Sequence, residues 1–136
     1  MKKLIVTMLV LVGLGVGLFG GGCSVTSEQI KKNPDKHFYI ESSVSCDKLY
    51  QNLLSDLNTK FSGLLLGTDY TVSGKCSTDV AELIVERWLY GTVTVIDLQR
   101  LDTGNTSVNA YYVWYFSAGL VNIQEMVVQQ CFPKQK

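Results

Sequence analysis

An α+β fold is expected for this chain: an antiparallel meander sheet with helices on one face, in the order β-α-β-β-β-α. Three observations predict it. Residues 46–61 carry apolar side chains at helical steps. Three later stretches are rich in branched and aromatic residues and are joined by connections too short for anything but antiparallel neighbours. A second helical pattern ends at Phe132-Pro133, where proline cannot continue a helix.

The first strand is Phe38 to Val44, dense in residues that suit a pleated surface. Ser45 follows as an N-cap, and Asp47 sits in the first turn, where the helix dipole favours an anion. The helix runs to about Lys60. Cys46, Leu49, Tyr50, Leu53, Leu54, Leu57 and Phe61 share one face, with Lys48, Gln51, Asn52, Ser55 and Asp56 opposite. Gly63 to Asp79 reads as a loop, with Leu64-Leu65-Leu66 tucking into the core. Ala81 to Tyr90 fits either a strand or a helix. A strand is preferred, because the run is short and breaks at Gly91 straight into another strand-like stretch. That second stretch is Thr92 to Leu101, and the turn Asp102-Thr103-Gly104-Asn105 leads to a third, Thr106 to Phe116. Ser117 is expected to cap a last helix, Ala118 to Cys131, with Leu120, Ile123, Val127, Val128 and Cys131 on its apolar face.

The amino terminus carries a different signal. Met1-Lys2-Lys3 precedes sixteen uncharged residues, Leu4 to Phe19, and then Gly20-Gly21-Gly22-Cys23. A basic start, a short apolar run and small residues are the layout of an export signal. The run is short for a bilayer span, which needs about 20 apolar residues, and its glycines weaken any helix. With the cysteine directly after the small residues, this leader resembles a bacterial lipoprotein signal, although Gly20 stands where that pattern usually has leucine. The resemblance implies cleavage before Cys23 and acyl chains on that residue. Ser24, where aspartate would favour inner-membrane retention, implies the outer membrane facing the periplasm. The alternatives are an uncleaved membrane anchor, or cleavage that leaves Cys23 an ordinary thiol. The division that follows is 1–22 signal peptide, 23–36 polar tether and 37–136 a single domain, its element order similar to that of small envelope lipoproteins of unassigned role. Fully extended, the thirteen residues Ser24 to Lys36 would reach about 40 Å.

Without Lys2 and Lys3 the mature part keeps ten basic against twelve acidic residues, a formal charge of −2. No basic patch exists to bind nucleic acid or anionic lipid. Cys46, Cys76 and Cys131 remain besides Cys23, and in an exported chain they suggest a disulfide whose pairing the sequence leaves open. Their spacing and the single His37 make no metal framework, and no cofactor motif falls in the mature part. His37, at the end of the tether, reads as a solvated residue rather than a base. Glu82 and Glu86 would share one strand face as ordinary solvent-side carboxylates. The leader's Gly15-Val16-Gly17-Leu18-Phe19-Gly20 matches a dinucleotide pattern in letters but follows no strand.

The feature of weight is aromatic. Trp88, Tyr90, Tyr111 and Tyr115 fall on neighbouring expected strands, and alternation leaves Tyr111 and Tyr115 off the helix-covered face. Trp and Tyr are enriched at interface hot spots. The expected function is therefore a lipid-anchored, non-catalytic envelope module that docks on another envelope protein. A periplasmic carrier of a small apolar ligand, or a surface lipoprotein in exclusion or host contact, are the alternatives.

Overall fold

The computed structural model describes residues 25–62, 70–113 and 122–133. The leader, Cys23, the run Leu64-Leu65-Leu66, Tyr115 and the expected cap Ser117 lie outside those residues. The architecture is α+β, a five-stranded antiparallel sheet with helices, as the sequence pattern predicts.

The elements are α1 (Ser27–Lys32), β1 (Lys36–Ser42), α2 (Cys46–Ser62), β2 (Tyr70–Cys76), β3 (Val80–Arg87), β4 (Gly91–Arg100), β5 (Thr106–Tyr112) and α3 (Ile123–Cys131). The sheet order is β1-β5-β4-β3-β2. Strands β2 to β5 form the meander, and β1 closes the sheet by pairing antiparallel with β5, Phe38 opposite Ala110 and Ile40 opposite Val108.

Helix α2 buries the face its spacing announces. Cys46, Leu49, Tyr50, Leu53, Leu57 and Phe61 are all buried against the sheet. The strand residues that meet them alternate, Ala81, Leu83 and Val85 from β3 and Ile96 and Leu98 from β4. Each such leucine contributes about 1.5–3 kcal/mol by leaving water. Helix α3 adds Ile123, Met126, Val127 and Cys131 to the same core. Its N-cap is Asn122, whose side chain accepts the Glu125 N–H at 3.0 Å, so the helix starts at Ile123 rather than at Ala118. Between Val80 and Arg87 the chain is a strand, and Trp88 to Tyr90 form the turn into β4.

Two expectations need correction. The stretch Gly63 to Asp79 contains β2, an edge strand in full register with β3 from Tyr70 opposite Arg87 to Cys76 opposite Ala81. Its outer positions are Thr71, Ser73 and Lys75, the polar and charged residues that keep an exposed edge from pairing further. Gly74 faces Tyr50 so closely that a Cβ there would lie 2.6 Å from the tyrosine Oη. The glycine that makes this stretch read as a loop is the one that lets α2 lie down.

The second correction concerns the tether. Residues 25–33 are folded onto the sheet. The Val25 N–H donates to Tyr90 O at 2.9 Å, and Val25 O accepts from the Thr92 N–H at 2.7 Å, a parallel bridge to Gly91. Helix α1 then starts with a capping box, Thr26 Oγ1 accepting the Gln29 N–H and Gln29 Oε1 accepting the Thr26 N–H. Ile30 is 2% exposed. Helix α1 packs on β4 and β5, on the sheet face opposite α2 and α3. Six residues make no stable helix in water by themselves; the box and Ile30 hold this one in place.

Gly91 makes the seat possible. Its φ is +98°, and a Cβ would lie 2.4 Å from Val25 O. Gly91→Ala is expected to cost more than about 1 kcal/mol in denaturant unfolding, since the position has both positive φ and no room. Limited proteolysis should then cut within residues 25–36 of the variant under conditions that leave the wild-type segment whole. A variant with unchanged stability and cleavage would show that Val25 does not sit there.

Candidate functional site

Each end of the sheet, and the face opposite α2 and α3, gathers a distinct set of side chains. On the face that α1 touches, Glu82 of β3 and Asp97 of β4 are cross-strand partners. Lys31 Nζ lies 2.8 Å from a carboxylate oxygen of each. All three side chains are about two-thirds buried. Burial pushes the Asp97 carboxyl above its ordinary range, opposed by the Lys31 hydrogen bond and reinforced by the charge of Glu82. The Lys31 hydrogen bond holds Glu82 below its ordinary range despite desolvation. Desolvation alone would lower Lys31, and the hydrogen bonds it donates to Asp97 and Glu82 outweigh it, together with their charges, raising the ammonium above 10.5. One cation thus clamps two carboxylates and ties α1 across two strands. Glu82 and Glu86 do share one face, since β3 runs in unbroken register with β2 and the shift between Val85 and Glu86 skips a residue of β4; Glu82 is drawn into this triad and Glu86 stays exposed.

The same face carries His37, which is a β1 residue and not part of a tether. Its ring stacks on Tyr111 with centroids 4.4 Å apart, and its Nε2 lies 3.1 Å from Asn109 Oδ1. Tyr111 is half-buried by that stack, so it offers less free surface than alternation alone implies.

The other aromatic candidates separate. Tyr90 is half-buried, packs on the core, and receives the Val25 N–H on its carbonyl. Trp88 is exposed at the β3–β4 turn, with exposed Leu89 beside it. Leu89 has φ +68°, a left-handed conformation that costs a leucine about 1–2 kcal/mol. This end of the sheet therefore holds Trp88, Leu89, Tyr90 and the entry of the chain at Val25.

The opposite end opens into a cleft of about 750 Å³, lined by Ser45, Cys46, Asp47, Cys76, Ser77, Thr78, Arg100 and Gly104. Asp47 opens α2 there and is held below the usual carboxylate range by the Ser45 side chain and the Lys48 N–H. Arg100 Nη1 lies 3.7 Å from Asp79 Oδ1, an exposed pair that adds little to stability. Two of the three described cysteines meet in this cleft. Cys46 is buried and Cys76 exposed, and both are free thiols, as is Cys131. Desolvation first, then the nearness of Cys76, Asp47 and Asp79, pushes Cys46 up. Cys131 is a core residue of α3, and burial pushes it up to about 11 against a lowering hydrogen bond from Ser42. Between sheet and helices Leu49, Leu53, Leu57, Leu83, Ile96, Leu98, Ile123 and Met126 are each fully buried. Among the described residues no group of His, Cys, Asp and Glu could hold a metal ion, and no helix is long and apolar enough to cross a membrane.

Reading residues in sequence missed Lys31, Asp97 and Thr26. Thr26-Ser27-Glu28-Gln29 does spell a capping box, a signal available in the letters. Lys31 and Asp97 carry no such mark, because their meeting depends on where α1 lands. No protein-family model matches the chain, and no curated protein is significantly similar to it.

Lys31→Met leaves two carboxylates facing each other and is expected to cost about 1–3 kcal/mol at pH 7, the range for hydrogen bonds to charged groups. The lysine's folded-state pKa lies above its unfolded 10.5. Its contribution is therefore complete below pH 10.5 and lost as pH rises through the raised value. The gap between wild type and variant, followed by urea melts, should narrow above pH 10.5. A gap that is absent at pH 7 would show that Lys31 does not hold the pair.

Proposed function

We propose that this chain is a lipid-anchored, non-catalytic protein of the bacterial envelope, a small body held close to the membrane that docks on another envelope protein. The observation that carries the reading is one of distance along the chain. Val25, two residues after Cys23 of the lipoprotein-like leader, is already bonded into the fold. A loose spacer is a common way to let an anchored domain search for partners. Here the residues that would form it are spent on a β-bridge, a capped helix and an ion triad. Acyl chains on Cys23 would then fix the end of the sheet that faces the bilayer and leave the Cys46–Cys76 cleft at the far end, open to a partner. Several acyl chains give a firm anchor where a single one gives only marginal attachment. Ser24 favours the outer membrane.

Mass spectrometry of the protein purified from membranes should find the chain starting at Cys23 with acyl chains on it, and Cys23→Ser should move the protein to the soluble fraction. A mature chain that starts elsewhere, or an unacylated Cys23 in the membrane fraction, contradicts the reading.

Export also exposes the thiols to oxidation. Cys46 and Cys76 share one cleft, and Cys131 is shut in the core. In the envelope a bridge would form between Cys46 and Cys76, the two thiols passing two electrons and two protons to an oxidised dithiol catalyst. Closing that loop is worth about 2–4 kcal/mol. Non-reducing peptide mapping should find Cys46 linked to Cys76, with Cys131 alkylated only after unfolding. A bridge to Cys131 would overturn the pairing.

A further inference from the structure

We infer that the β3–β4 turn, Trp88-Leu89, rests in the acyl-chain boundary of the membrane to which the chain is anchored; this rests on the lipid-anchored reading above. Trp88 and Leu89 are 73% and 74% exposed, the two most exposed large apolar residues among those described, and they are adjacent. The fold alone does not account for them: the turn keeps a leucine at φ +68°, where glycine or asparagine would be at ease, and leaves its side chain in water. Strain of that kind, held at a surface, points to a use for the side chain.

The position of the anchor says what covers the turn. Val25 bonds to Tyr90 O and to the Thr92 N–H, directly beside Trp88-Leu89. The bridge to Gly91 is parallel and lies at the turn end of β4. Two residues span at most about 7 Å, so Cys23 and any lipid it carries stay within reach of Leu89. A rigid body fixed at that point cannot lift the turn far from the bilayer. An indole beside a leucine is the pairing that membrane interfaces favour, the ring at the headgroup level and the aliphatic side chain below it. Arg87, next to Trp88, lies over the Tyr70 ring, with its guanidinium carbon 5.6 Å from the centroid. A cation that close to the turn suits the headgroup layer.

The test uses the full chain, exported, processed and purified from membranes, with Trp114→Phe so that Trp88 is the only tryptophan. It is placed in phosphatidylethanolamine and phosphatidylglycerol vesicles with or without bromine on the upper acyl carbons, and its acylation is measured by mass spectrometry on the same sample. Trp88 emission should shift to the blue and fall at least about twofold in brominated vesicles. Leu89→Glu should abolish the quenching with Cys23 still acylated. Leu89→Gly, which suits the positive φ and so protects the fold, should weaken it. An acylated chain whose Trp88 is neither shifted nor quenched overturns this inference alone and gives the turn to a protein partner. A chain without acyl groups on Cys23 overturns the anchoring reading and this one with it.

Discussion

The N–H of Val25 reaches the carbonyl of Tyr90, and the carbonyl of Val25 accepts the N–H of Thr92. These two bonds decide how the folded body relates to everything upstream of it. They exist because Gly91 has no side chain and can take a φ of +98°. With Val25 seated, Thr26 is in place to cap α1, Ile30 drops against the sheet, and Lys31 arrives between Glu82 and Asp97. Remove the seat and a six-residue helix with one buried apolar side chain has too little to hold it.

The arrangement gives the sheet two covered faces of unequal weight. Helices α2 and α3 bury one face with a continuous apolar core. The other face carries α1 over β4 and β5, with Lys31 reaching Glu82 of β3, and also polar and aromatic contacts such as His37 on Tyr111. Val95 of β4 is fully buried yet stands outside the main core, pairing with Ile84 and Tyr111 across its neighbouring strands. A β4 strand buried on both faces explains why its residues read as a nearly continuous apolar and threonine run rather than a clean alternation.

The sequence made the α+β class and most of the sheet legible, for identifiable reasons. Helix α2 has a long stripe from Cys46 to Phe61, and stripes of that length are hard to mistake. Strands β3 to β5 carry branched residues and short turns. Strand β2 was hidden because only Tyr70 and Val72 on its inner side are apolar, and Gly74 breaks the pattern where Tyr50 needs the space. Helix α1 was hidden because five of its six residues are polar, and its stability comes from contacts about fifty or more residues away in the chain. The candidate sites divide in the same way. The gathering of Cys46 with Cys76, and of Lys31 with two carboxylates, is a product of topology that no spacing announces. The exposed Trp88 was singled out from the sequence, but its neighbour Leu89 and its nearness to Val25 needed the fold.

The seat at Gly91, the Lys31 triad and the proposed membrane contact all require the segment from Val25 to be part of the folded body rather than a spacer. Hydrogen exchange at the Thr92 amide reads this directly, since that proton is given to Val25 O. In the native protein it should exchange at least about a hundredfold more slowly than in an unstructured peptide, the protection of an opening free energy near 3 kcal/mol. If Thr92 exchanges at the free-peptide rate while Val95 and Ile96 stay protected, the segment is loose and the account is wrong.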